Sequence, residues 1–199
     1  MSKSLEQRIE EAVREEIALA PYDPAWPALF EEEAANLRRK FPGLVKRIEH
    51  IGSTAVPGLA AKPVIDVLIE VTTLDEARLR MAPALASEGY DYFWRTDVSP
   101  PYVFLIKRDA QARRTHHLHV MEADSVLWDR LYFRDYLRAF PEEARRYEAL
   151  KRSLSETHPR DRAAYTEGKT AYVVAVMEKA RRRGNTGIPA CHGINPEPR

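Results

Sequence analysis

Gly52-Ser53, Lys62, Asp66 and the pair His117/His119 are the parts of this 199-residue chain whose types and spacing suit phosphate or metal chemistry. A strand that ends in Gly-Ser presents backbone N–H groups and a hydroxyl, the donors with which turns hold phosphate oxygens. An ordinary tight turn carries the same signature. Asp66 follows within Val64-Ile65-Asp66-Val67-Leu68-Ile69, an otherwise apolar run. A carboxylate there is costly to bury unless it meets a cation, a set of donors or a cleft. Lys62 and His50 are nearby partners for a salt bridge. Lys62 is equally suited to neutralise a bound phosphate, on a loop that Pro63 stiffens.

In Thr115-His116-His117-Leu118-His119-Val120, strand alternation places His117 and His119 on one face and His116, Leu118 and Val120 on the other. Two imidazoles on one face are half of a metal site, or two members of a hydrogen-bonded cluster. Near the C-terminus, Tyr165 and Lys169 stand one helical turn apart. Gly168 between them costs a helix about 1 kcal/mol relative to Ala, which points to close approach by a neighbouring group. Arg134-Asp135 reads most simply as an ion pair at a helix surface.

These residues need elements to position them. Leu5, Ile9, Val13 and Ile17 predict an amphipathic helix that Pro21 ends. Asp23-Pro24 starts a second, with Phe30, Ala34 and Leu37 on its apolar stripe, closed by Pro42-Gly43. The period then shortens: Arg47 to Gly52 and Val64 to Ile69 read as two strands around a Gly/Pro-rich loop. Thr73-Leu74-Asp75-Glu76 is a capping box for a helix to about Ser87, with Leu79, Ala82 and Leu85 or close neighbours as its core face. Three strands follow, over 90–94, 102–108 and 115–121, forming a meander. Helices over 126–140, from Pro141 to about Thr157 and from Asp161 to Arg183 complete the order. The plan is α/β (or α+β), one mixed sheet covered by helices with C-terminal helices beyond it. It divides into a helical extension (1–20), one domain (21–183) and a disordered tail (184–199).

Thirty-one Lys and Arg against thirty Asp and Glu leave a net charge of +1, which gives no strong nucleic-acid signal. The single cysteine, Cys191, forms no internal disulfide and fits a reducing cytoplasm. No stretch approaches the ~20 apolar residues of a membrane span, and the N-terminus lacks the apolar core of a signal peptide. The expected location is cytoplasmic.

Tyr22-Asp23-Pro24-Ala25-Trp26, the block His50-Ile51-Gly52-Ser53-Thr54-Ala55-Val56-Pro57-Gly58-Leu59-Ala60-Ala61-Lys62-Pro63-Val64-Ile65-Asp66, Thr115 to Val120, Phe133-Arg134-Asp135-Tyr136-Leu137 and Tyr165-Thr166-Glu167-Gly168-Lys169 together resemble the GrpB family. The resemblance runs from about residue 15 to 182. It implies the nucleotidyltransferase superfamily, whose active members hold a triphosphate with a Gly-Ser turn and divalent metal with an Asp-x-Asp or Asp-x-Glu pair. A similar domain is also fused to dephospho-coenzyme A kinase.

By position, Gly52 and Ser53 match the phosphate turn and Asp66 the first metal carboxylate, while Leu68 stands where the second belongs. Glu70 shares Asp66's side but lies roughly 13 Å along the strand. The resemblance therefore implies a nucleotide or another phosphorylated small molecule as partner, held at Gly52 and Ser53; from the residues themselves, Lys62 suits phosphate, and Tyr165 and Lys169 would orient the tail or base. The resemblance also implies catalysis at Asp66, and with Leu68 in the second position, His117 or His119 is the expected substitute ligand for a divalent metal, Mg or Mn, or Zn through the imidazoles. Nucleotidyl transfer to an acceptor is the leading activity. A non-catalytic binding module with a degenerate site, and a metal-dependent hydrolase built on His117/His119, are the alternatives.

Overall fold

The computed structural model describes residues 17–96 and 99–184. The fold divides into two compact units: one runs from Pro21 to Arg130, and the other takes the described residues before and after it. Leu5, Ile9 and Val13 of the predicted N-terminal helix, and the tail from 185 with Cys191, lie outside the described residues.

In the Pro21–Arg130 unit the first helix, α1 (Trp26–Lys40), starts as predicted from Asp23. The Asp23 carboxylate accepts the Ala25 N–H at 2.8 Å and its carbonyl accepts that of Trp26 at 3.1 Å. Trp26, Phe30, Ala34 and Leu37 recur at helical spacing and are all buried. The sheet is formed by β1 (Val45–Ile51), β2 (Ile65–Val71), β3 (Tyr90–Arg95), β4 (Tyr102–Arg108) and β5 (Arg114–Met121) in the order β1-β2-β5-β4-β3. The meander β3-β4-β5 is antiparallel as predicted, and so is the pair β1-β2; β5 joins the two by lying parallel to β2. One face carries Ile65, Val67, Ile69, Val103, Leu105, Leu118 and Val120 into a core shared with α1. Glu33 of α1 is buried with that core and is bonded by Tyr90 Oη and Lys107 Nζ, which satisfies the carboxylate. The opposite face carries Asp66, His117 and His119.

The helical segment after β2 begins as the capping box predicts: the Thr73 hydroxyl accepts the Glu76 N–H at 3.2 Å. It is not one uniform helix, but a turn α2 (Leu74–Glu76), a π turn (Ala77–Met81) and α3 (Ala82–Ala86). Pro83 has no N–H to give the carbonyl of Leu79, and the chain widens there, with the Ala82 N–H reaching Ala77. The buried face is Ala77, Met81, Ala82 and Leu85, whereas Leu79, expected in the core, is 78% exposed. Thr73→Ala should accordingly lower stability by about 1 kcal/mol, and Leu79→Ala should leave it within about 0.5 kcal/mol. Urea denaturation measures both.

The predicted helix over 126–140 opens as a 3-10 turn (Val126–Asp129), capped by the Ser125 hydroxyl, and continues as α4 (Arg130–Ala139). In the second unit α5 (Pro141–Thr157) matches its prediction, while the helix expected from Asp161 to Arg183 is two, α6 (Arg162–Glu167) and α7 (Thr170–Gly184). The break falls at Gly168-Lys169. A Cβ on Gly168 would stand 3.1 Å from Leu154 Cδ1 and 3.2 Å from the Ala164 carbonyl, so the close neighbour that glycine signalled is Leu154 of α5. Buried Glu143 ties α5 to α7, accepting from Tyr172 Oη and Lys179 Nζ at 3.0 Å each. Arg134 does pair with Asp135, at 2.6 and 3.1 Å, but it is buried rather than at a surface.

Candidate functional site

The site is assembled where β1 ends beside the start of β2. Ile51 is paired with Asp66, so the next residue, Gly52, turns out of the sheet directly against the Asp66 side chain. Gly52 has φ +72° and ψ −172°, a region that residues other than glycine scarcely enter. A Cβ there would overlap Asp66 Oδ2 and lie 3.1 Å from its Cβ and Cγ. The glycine of the predicted phosphate turn is thus required twice, by its backbone and by the carboxylate beside it.

Ser53–Ala55 forms a single 3-10 turn. Thr54 in its middle is buried; its hydroxyl lies 3.0 Å from His50 Nε2 and donates to the Val64 carbonyl at 3.4 Å. This latch fastens the turn to β1 on one side and to the approach of β2 on the other. Phe30 stacks on the His50 ring with centroids 4.8 Å apart. In Lys62-Pro63-Val64 the Val64 N–H returns to the Lys62 carbonyl at 2.8 Å, a three-residue turn for which proline sets φ.

The parallel register of β2 and β5 sets Asp66 beside His117 and Leu68 beside His119. His117 Nδ1 lies 2.9 Å from Asp66 Oδ1. Burial pushes the Asp66 carboxyl upward, but this hydrogen bond and the charges of His117 and Lys62 outweigh it and hold the group well below the usual carboxylate range. His117 and His119 share a face as predicted, both rings packing on Phe104 with centroids 5.3 and 4.9 Å away. Burial first, and the Arg130 guanidinium next, hold His119 well below its ordinary value, so this imidazole is neutral at pH 7.

Each Nε2 faces an arginine: Arg114 Nη1 is 3.5 Å from His117 and Arg130 Nη1 is 3.4 Å from His119. Guanidinium only donates, so the neutral His119 ring accepts at Nε2 and carries its proton on Nδ1. The Nδ1–H of His117 goes to Asp66. That of His119 is buried with no hydrogen-bond partner among the described residues.

Asp66, His117 and the nearby His119 were the expected metal ligands. Among the described residues no three His, Cys, Asp or Glu side chains are grouped so as to hold a metal ion. Asp66 Oδ1 is engaged by His117, and Leu68, in place of a second carboxylate, is fully buried. The donor set does not fit a protein-ligated metal centre.

Tyr165 and Lys169 belong to the second unit. Tyr165 is 1% exposed, burial raises its phenol to about 12, and Lys169 Nζ stands 4.3 Å from its ring centroid. Sequence reading missed Thr54, Arg114 and Arg130. Thr54 adjoins the Gly-Ser turn, and the position is its only signal; Arg114 and Arg130 sit at element boundaries among thirty-one basic residues, with nothing local to single them out.

Comparison with known proteins places these features in a family. A UPF0157 protein of Pseudomonas aeruginosa is 42% identical over 87% of this chain and 72% of its own length. The UPF0157 protein YqkA of Bacillus subtilis is 34% identical over 85% of this chain, which spans only 48% of YqkA. The crystal structure of a conserved GrpB protein from Enterococcus faecalis aligns with 83% of this chain and 98% of its own, at 34% identity and a TM-score of 0.75. The family model described as GrpB protein matches residues 16–179, which takes in the Gly-Ser turn, Asp66 and both histidines, and the chain belongs to the GrpB family.

Proposed function

We propose that this protein binds a nucleotide or another phosphorylated small molecule on the sheet face around Asp66, with phosphate oxygens taken by the Gly52-Ser53 turn and Lys62. The observation that carries this reading is the fit of Gly52 against the Asp66 carboxylate, which brings phosphate-type backbone and a charged, imidazole-bonded acid to one place. The resemblance to nucleotidyltransferases supports the same ligand class. Binding is favoured over metal-dependent transfer or hydrolysis, because buried Leu68 replaces the second carboxylate and the two histidines supply no three-ligand set with Asp66.

A melting-temperature panel tests the proposal, with nucleoside triphosphates and coenzyme A precursors, each with EDTA, Mg, Mn or Zn, on the wild type and Asp66→Asn. A ligand that binds only the folded state at 100 times its Kd adds about 2.7 kcal/mol of stability. At least one phosphorylated compound should raise the wild-type melting temperature and act differently on Asp66→Asn. A panel without any shift, or with equal shifts in both proteins, contradicts the assignment of the ligand to this face.

A further inference from the structure

The two edges of the sheet are built differently. β1 closes one side, and it carries Lys46, Arg47 and Glu49 together with a register shift between Val45 and Arg47. Clustered charge and a bulge are devices with which natural sheets keep a bare edge from pairing with another chain. β3 closes the other side without lysine, proline or bulge: Tyr90-Asp91-Tyr92-Phe93-Trp94-Arg95 pairs with β4 in unbroken register over all six residues. Among the described residues β4 is the only strand paired with it, so the outer edge of β3 presents N–H and C=O groups that no strand takes up. Tyr92, Phe93 and Trp94 are only half-buried there.

The order of residues on β3 says what fits that edge, because the strand is complementary to itself about Phe93. A second β3 laid antiparallel on a two-fold axis there sets Phe93 against its own copy, Tyr92 against Trp94 and Asp91 against Arg95, the last two pairs twice over. Other registers lose this match. An axis at Asp91 or Arg95 opposes like charges, and an axis at Tyr92 or Trp94 sets a charged residue against Phe93. We propose that β3 is a homodimer interface, at which two copies of this chain join edge to edge into one continuous sheet. Backbone ladder and aromatic contact supply most of its stability; Asp91 is already bonded to Arg108 at 2.8 Å, so its match to Arg95 chiefly sets register. The contact closes at two copies, since the guarded β1 forms both far edges. An interface confined to one strand is small, so the dimer should be reversible, with a Kd of about 1–100 μM. It holds whichever ligand the Asp66 face takes.

Sedimentation of the full chain over a concentration series from about 1 to 300 μM, bracketing that Kd, tests the interface. The mass should rise from one copy to two and stop there. Phe93→Lys, which opposes two ammonium groups at the axis, should weaken association about tenfold or more. Leu79→Lys, an equal change of charge at a residue 78% exposed and off the strand, should associate as the wild type does. In a Cys191→Ser background, Phe93→Cys should give a disulfide-linked dimer with oxidised glutathione as the oxidant, because opposed antiparallel residues stand about 4.5–5.5 Å apart at Cα. Leu79→Cys should not. The cysteine variant brings no charge into the sheet, and it decides the question if the melting curve of Phe93→Lys shows a loss of folding. A chain that stays a single copy at the highest concentration overturns the interface, and so does a mass beyond two copies. A dimer that Phe93→Cys does not link places the second copy elsewhere and overturns it as well.

Discussion

Gly52→Ala is expected to lower the stability of this protein by about 2–4 kcal/mol, of which the backbone region occupied by Gly52 accounts for roughly 1–3. The remainder comes from displacing the Asp66 carboxylate, which the new Cβ would overlap. Gly58→Ala separates the two causes. Gly58 also has a positive φ, +77°, but a Cβ there meets nothing within 4 Å. It should cost only the conformational share, about 1–2 kcal/mol. In an Asp66→Ala background, Gly52→Ala should lose most of its excess over Gly58→Ala. Guanidinium denaturation of the wild type and these four variants, the Asp66→Ala single and double variants included, reads this directly, and equal costs at Gly52 and Gly58 would show that the carboxylate does not press on the turn.

The second large effect is the coupling of Asp66 to His117. A double-mutant cycle with Asp66→Ala and His117→Ala should give an interaction of about 1.5–3 kcal/mol at pH 7, the range for a hydrogen bond to a charged group. The pH dependence follows from the direction of each shift. The Asp66 carboxyl titrates lower in the folded protein than its ordinary 3.8, so its stabilisation is present above that value and is lost as the pH falls below it. Wild-type stability should drop more steeply than that of Asp66→Asn in that acid range. His119 is also depressed in the fold, from 6.5, but for a base the consequence starts at higher pH. The unfolded chain takes up a proton that the folded one refuses, so stability falls as the pH drops through about 6.5. His119→Gln should flatten the profile between neutrality and that point's acid side. A Gln variant with the full wild-type slope would place the proton uptake elsewhere, His116 being the other histidine that burial depresses.

Much of this architecture was legible in the residues. The alternation in Thr115 to Val120 put His117 and His119 on one face, and the capping signals of Asp23, Thr73 and Asp161 are made as hydrogen bonds. What remained hidden depends on sheet order. Nothing local says that β5 lies parallel to β2, so the residues around Asp66 point to Lys62 and His50 as its salt-bridge partners rather than to His117, fifty-one residues away. His50 instead secures Thr54. The misplaced Leu79 has a different origin: Pro83 lies one turn further on, and the π turn it accompanies shifts the helical phase. Gly168 does mark a close approach, to Leu154, yet spacing alone does not place it at a helix break.

Imidazole nitrogen resonances provide the most direct test that phosphorylated ligands bind at Asp66. In the wild type the His117 Nδ1–H, bonded to Asp66, and the neutral His119 ring are reporters inside the proposed site, and His116, buried on the opposite face of β5, is a reporter outside it. Titration with a nucleoside triphosphate should move the nitrogen signals of His117 and His119 together along one saturating curve while His116 stays fixed. Signals of His117 and His119 that remain unmoved, with or without a shift at His116, would contradict the account.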